Sequence, residues 1–500
     1  MIRKLSAALL GLALLAPATA SAEWRRAETE HFVVYGRTEK AVRQYASMLE
    51  DFDSVLRRLH KQPEEEAPPI KLPVYLVTDL GQLRRVLPWA REGTQGVYIP
   101  ATTEVFTVAI RDGVSADNDP NRGDDTVMHE YVHHFMLRYY PSAYPAWLVE
   151  GYAEYYMTTD LGWNRFVVGG YNKGRAYSLV APGSSWVSMA DLLTKHPSAF
   201  GKWETNSYYA QAWLLTHYIL SDPERRKKLS PYLEAVRTGQ KPTEAWQKVY
   251  GQDMDSLRNA LKSYLDRPLP AGALPRITPA EAQMTVTSLP ASADVLLLDY
   301  QRLKLGVGKD DRAGVLQSIR TSAARYPTDR FARLVRAQAE TQFGDRAAGE
   351  TILNELLVAD PKDKDALVVL GESRLSVADA DKDHRKEILG EAGKLFARAF
   401  KVDADDPRVL HGYAEAKQLE PLTDNMVNIR VRAMTLAPQV GHLRLDAGRA
   451  LVAFKEFDTA RTVLTPLAGS PHGGPEAEAA QAMLKALPEE KPVAKATGGP

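Results

Sequence analysis

The 500-residue chain contains no cysteine. That absence excludes disulfides, thiolate metal sites and a lipid anchor carried by a cysteine. Net charge is also absent, with 63 Lys and Arg balanced by 63 Asp and Glu. Nothing in that balance calls for nucleic acid or an anionic membrane as partner. Beyond the first residues, no stretch approaches the roughly 20 consecutive apolar residues of a membrane helix. The fold must therefore be held together by packing. Any metal must be held by His, Asp or Glu, a donor set that favours a catalytic site over a thiolate-rich structural one.

What is present is the composition of a globular protein, 44% hydrophobic and 25% charged, at a length that predicts about two to four domains. Arg3 and Lys4 precede an apolar run from Leu5 to Ala16, and Ala20-Ser21-Ala22 forms a small-residue cleavage box. This predicts a signal peptide over 1–22 and an exported, soluble mature protein, periplasmic or secreted.

From Glu23 to about Asp160 the pattern mixes strands and helices. "HFVVYG" and "KLPVYLV" read as buried strands, "GVYIP" and "EVFTVAI" as a hairpin, and Val42, Tyr45, Leu49, Phe52 and Leu56 as one face of a helix. The hairpin reads equally as an edge offered to an extended peptide or as an ordinary part of a sheet. After Met157 strand signals fade and helical runs take over. Pro268, Pro270, Pro275 and Pro279 then predict a linker over 267–289.

The region 290–486 reads as helical repeats. Pro327, Pro361, Pro407, Pro438 and Pro471 recur at spacings, by subtraction, of 34, 46, 31 and 33. Ala337 and Gly371 lie 34 apart where two helices would touch, and Gly448, Ala460 and Leu464 repeat the offsets of Ala337, Gly349 and Leu353. The charged insertion Ala378 to Glu387 predicts a longer turn or an extra helix in one repeat. This period resembles that of tetratricopeptide repeats, helix pairs that stack because none can bury its apolar face alone. The resemblance implies a protein partner bound through the repeats. The tail 487–500 is expected to be disordered.

"HEYVHH", His129 to His134, carries the pattern H-E-x-x-H. Residues four apart on a helix differ by about 40° in direction and about 6 Å along the axis, so His129 and His133 can close on one metal ion. Glu130 then faces the open side, and His134, about 100° from His133, reads as a packing neighbour. Alone the motif leaves metal site and polar stripe balanced. Catalytic zinc usually has three protein ligands, and "PAWLVEGYAEYY" supplies a candidate third. Glu150 lies far enough beyond His133 for the chain to turn at Pro141 to Pro145 and start a facing helix. Glu154, one turn later, is placed to accept a hydrogen bond from a liganding imidazole.

H-E-x-x-H followed by W-L-x-E-G-x-A-E-Y resembles the gluzincin metallopeptidases, closest to their peptidase-MA-like domains. The motifs cover His129 to Tyr156, and the order of strands and helices suggests a resemblance over about 25 to 265. It implies an α+β zincin-like metallopeptidase domain, 23–266, with a mainly helical C-terminal half, followed by the all-α tetratricopeptide-like solenoid. It further implies one catalytic Zn2+ on His129, His133 and Glu150, Glu130 as general base, and Glu154 behind a liganding histidine. "SYYAQAW" resembles the helix whose tyrosine serves the oxyanion in related aminopeptidases, with Tyr209 at the matching position and Tyr208 as rival. The G-A-M-E-N segment that binds a free amine is missing, so an endopeptidase acting on peptide or protein substrates is expected. The alternative is a catalytically silent scaffold that works through its repeats.

Overall fold

A computed structural model describes residues 23–62, 70–111, 123–277, 283–470 and 473–488. The expected signal peptide, residues 489–500 of the expected tail, Pro279 and Pro471 lie outside the described residues. Among the described residues no helix is long and apolar enough to cross a membrane.

Strands β1 (Arg25–Glu28), β2 (Phe32–Gly36), β3 (Leu72–Val77), β4 (Gly96–Pro100) and β5 (Val105–Ile110) come first in the chain. Three short strands follow, β6 (Asp160–Leu161), β7 (Arg165–Val168) and β8 (Gly272–Pro275), which form a separate small sheet. The last strand, β9 (Thr285–Ser288), returns to the first sheet and completes the order β4-β5-β3-β2-β1-β9. Its centre, β2, β3 and β5, is parallel, while β4 runs antiparallel along one edge.

Alternation in β3 sorts the two faces. Leu72, Val74 and Leu76 join a core with helices α1 (Glu39–His60), α3 (Gly123–Tyr139) and α4 (Ala146–Tyr156), while Tyr75 and Val77 join one with α2 (Leu80–Val86). On α1, Thr38 caps the first turn by accepting from the Ala41 amide at 3.1 Å. The predicted stripe Val42, Tyr45, Leu49, Phe52 and Leu56 is fully buried.

Helices α5 to α11 (Lys173–Val180, Met189–Thr194, Lys202–Leu220, Pro223–Lys227, Leu229–Arg237, Pro242–Tyr250 and Met254–Leu265) build a second core around Trp147, Tyr208, Trp213 and Trp246. The helical reading after Met157 thus holds except for β6 and β7, which are two and four residues long. Such segments are too short to show a period of two.

Paired helices fill the remainder: α12 and α13 (Ala293–Leu305, Arg312–Ala324), α14 and α15 (Arg330–Phe343, Arg346–Ala359), and α16 and α17 (Lys364–Ala380, Arg385–Val402). These are followed by α18 and α19 (Pro407–Ala416, Asp424–Leu436), α20 and α21 (Gly441–Ala453, Phe457–Ala468), and α22 (Pro475–Ala486). The predicted period returns in the helix starts: Arg330 and Lys364, then Pro407, Gly441 and Pro475, are each separated by the same step. Small residues mark the crossings: a Cβ on Gly371 would lie 2.8 Å from the Phe396 ring. The charged insertion builds no extra helix; it lengthens α16 to 17 residues and α17 to 18.

The proline-rich segment does more than connect, because β8 and β9 lie within it. Both are edge strands, and the one proline within them, Pro275, is the last residue of β8, a position where proline is tolerated. The first repeat helix packs on the sheet, α12 burying Ala293, Leu297 and Leu298 with Trp24, Tyr75, Phe106 and Val108.

Beneath α3 lies a buried polar network. His31 Nδ1 is 2.7 Å from Glu50 Oε2, and Asp53 accepts from Arg57 Nε at 2.5 Å and from the Tyr131 hydroxyl at 2.6 Å. Burial opposes charge on both His31 and Glu50, but their mutual contact wins, raising the imidazole pKa and lowering that of the carboxylate. The His31 contribution is therefore lost as pH rises through its elevated folded value. The Glu50 contribution is lost as pH falls through its depressed one. The difference in melting temperature between the parent chain and His31→Gln should be largest near pH 5 to 6, between the ordinary values of about 4.3 and 6.5. It should shrink on both sides. A difference flat from pH 4 to 9 would refute the ion pair.

Candidate metal centre

On α3, Val127, Met128, Tyr131, Val132, Phe135 and Met136 recur at three- and four-residue spacing and bury one face on α1 and the sheet. The opposite face carries His129 and His133, and Pro141 ends the helix because proline cannot extend it. After the turn, α4 buries Trp147 and Leu148, which fixes the face bearing Glu150 and Glu154. Both carboxylates are almost completely buried, 0% and 1% exposed.

Gly151 explains how α7 comes close. A Cβ there would lie 2.8 Å from the carbonyl carbon of Ala212, with Thr216 and the Ala212 oxygen nearer still. The two helices therefore cross backbone against backbone. Gly151→Ala should destabilise the fold by about 1–3 kcal/mol through overpacking, read in a denaturant titration. An unchanged midpoint would show that the crossing tolerates a methyl group.

His129, His133 and Glu150 converge. Their Nε2 atoms are 3.1 Å apart, and Glu150 Oε2 is 3.5 Å from each. Ligands about 2.0–2.1 Å from a tetrahedral zinc are separated from one another by about 3.3 Å. Two imidazole nitrogens and a carboxylate oxygen thus occupy three corners of a tetrahedron of that size. Burial alone would depress the His129 imidazole, but its hydrogen bond with Glu150 and the charges of Glu154 and Glu130 raise it to about 9. Burial would raise the Glu150 carboxyl, yet the two imidazoles hold it well below the usual carboxylate range. Glu130 is only half-buried, and its charge reaches His129, Tyr98 and Tyr209.

Glu154 Oε1 lies 3.6 Å from His129 Nδ1. Its main partner is a residue the sequence did not disclose. Arg175 of α5 donates through Nε to Oε2 at 2.8 Å and through Nη2 to Oε1. Asn172 caps α5, accepting from the Arg175 amide at 3.0 Å, and its amide nitrogen lies 3.5 Å from Glu154. Nothing local in the sequence links Arg175 to a carboxylate on the preceding helix. The Arg175 guanidinium also lies 5.2 Å from the centre of the Tyr209 ring. Tyr208, by contrast, is fully buried and donates its hydroxyl to the Lys195 carbonyl at 3.0 Å. Of the two tyrosines, Tyr209 keeps its hydroxyl uncommitted to that carbonyl and stands beside the buried carboxylates' partner.

His134 is turned away. It stacks on Tyr131 with ring centres 5.6 Å apart and meets the Tyr98 hydroxyl at 2.9 Å. Burial and then Arg138 push its pKa down to about 3, so it is neutral. Gln439, in the turn between α19 and α20, brings its amide nitrogen to 3.3 Å from the His134 ring nitrogens. The repeats therefore reach back to the helix that carries the metal-ligand candidates. A cavity of ≈ 120 Å³ opens at that junction, bounded by His133, Met136 and Val149 on one side and Pro438 and Leu467 on the other.

A family model described as "Protein of unknown function (DUF1570)" matches residues 125–244, a span that includes His129, Glu150, Arg175 and Tyr209. No curated protein matches the chain. Among solved structures, the crystal structure of a thermophilic TPR protein in Thermus thermophilus is 17% identical, covering 39% of this chain and 97% of its own, with a TM-score of 0.32.

Proposed function

We propose that the chain is an exported zinc-dependent endopeptidase of gluzincin type, with His129, His133 and Glu150 holding the ion. The observation that carries this reading is the triangle of donor atoms, 3.1, 3.5 and 3.5 Å on its sides, built from two helices. The Glu150 carboxylate, 0% exposed, faces the buried His133 imidazole and the part-buried His129 imidazole, and a cation held among the three would compensate its charge. The chemistry a zinc ion supplies in a three-ligand site is Lewis acidity, which acidifies water and polarises a carbonyl.

The chain's own residues do the rest. Glu130, half-buried on the open side, accepts the proton of the attacking water and returns it to the leaving amine. Tyr209 donates to the oxygen on which negative charge develops. Arg175 holds Glu154 beside His129, and so sets the direction in which that imidazole points. Strand β4 is the edge of its sheet and packs against α3, which suits main-chain pairing with an extended substrate. The repeats would present a protein partner or substrate to this cleft.

The test is metal analysis combined with digestion of a proteome-derived peptide library. The purified chain should hold about one zinc equivalent that depends on His129, His133 and Glu150 and should cleave internal bonds, and His133→Ala should lose that equivalent and the cleavage. Cleavage that survives in zinc-free protein would overturn the mechanism. A protein that binds no zinc and cuts nothing would favour the silent scaffold.

A further inference from the structure

The repeats contain a second meeting of imidazoles and carboxylates, remote in sequence from the first. His411 and Glu415 stand four residues apart on α18, and His442 and Asp446 repeat that spacing on α20. Each helix therefore presents one imidazole and one carboxylate on a single face. α18 and α20 are the first helices of successive pairs, and these two faces meet. The His411 and His442 rings are perpendicular with centres 5.2 Å apart. His411, Glu415 and Asp446 each place a potential ligand atom within 4.8 Å of the other two.

The arrangement is not explained by ion pairing alone. Arg430 of α19 reaches Asp446 Oδ2 at 3.1 Å and its charge also bears on Glu415, so one guanidinium faces two carboxylates. His411 Nδ1 is buried without a hydrogen-bond partner among the described residues, a cost that a bound cation would remove. His442 is half-exposed at the rim and leaves a route for an ion.

We propose that His411, Glu415 and Asp446, with His442 at the rim, form a second site for a divalent transition ion such as zinc. Imidazole combined with carboxylate selects zinc-like ions over magnesium or calcium, which prefer oxygen alone. An ion there ties α18 to α20 and stiffens the stretch whose Gln439 touches His134. The site is independent of the reading given for His129, His133 and Glu150.

The experiment is zinc titration of the metal-stripped full chain by calorimetry, with metal content measured after dialysis. The parent chain should take up about two equivalents, and His129→Ala/His133→Ala about one. His411→Ala/Asp446→Ala should lose the second equivalent and keep the first. Zinc should raise the melting temperature of His129→Ala/His133→Ala, and magnesium should not. Should His411→Ala/Asp446→Ala fail to fold, Glu415→Gln and His442→Asn serve instead, each weakening the second equivalent at least about tenfold. A parent chain that binds one equivalent, all of it lost in His129→Ala/His133→Ala, overturns the proposal. One equivalent retained in that variant and lost in His411→Ala/Asp446→Ala supports this site while refuting the first.

Discussion

Glu130→Gln should reduce peptide hydrolysis by about 10²–10⁴-fold while leaving the zinc content unchanged. The two side chains are nearly isosteric, and the amide cannot take a proton from water. The separation of effects follows from position. Glu130 is adjacent in sequence to His129 but outside the triangle formed by His129, His133 and Glu150. Its charge bears on His129 without its oxygens joining the donor set. The comparison needs zinc-loaded parent and variant, one peptide pool, and cleavage counted by mass spectrometry. Full turnover in the zinc-loaded variant would remove Glu130 from the mechanism. Loss of zinc together with turnover would instead make it a ligand.

Arg175→Ala should be the most damaging substitution for stability around the site. Glu154 is 1% exposed, and Arg175 is its two-pronged partner. Removing one member of a buried ion pair strands the other, at a cost of about 3–5 kcal/mol. For a region of this size that corresponds to a drop in melting temperature of roughly 10 °C. Glu154→Gln combined with Arg175→Ala should be less damaging than Arg175→Ala alone, because no charge is then left buried. Arg175→Lys should recover only part of the loss, since an ammonium cannot grip both oxygens in a plane. Equal melting of parent and Arg175→Ala would mean that His129, 3.6 Å away, satisfies Glu154 without help.

The site was legible to the extent that it lies on regular helices. Four-residue spacing places His129 with His133 and Glu150 with Glu154 whatever the surroundings, because a helix turns by a constant angle. The same constancy made the stripe on α1 and the period of the helical repeats readable. Arg175 was not legible, since its role depends on α5 being brought against α4. Likewise, β8 and β9 were hidden in a segment whose prolines signal a connector. An edge strand tolerates them, and only the neighbouring strand reveals the pairing.

Composition and local periodicity by themselves determined that this chain has no thiol chemistry, that Val42 to Leu56 form one face of a helix, and that His129 with His133 and Glu150 with Glu154 share helix faces. The tertiary structure alone decided that α3 and α4 face each other at a distance where three donors converge, and that Tyr209 rather than Tyr208 stands beside Arg175. It also decided that Gln439 closes on His134 from 305 positions away. The physical reason is one of range. Dihedral preference and hydrophobic period act over a few residues, whereas these contacts depend on how whole helices pack.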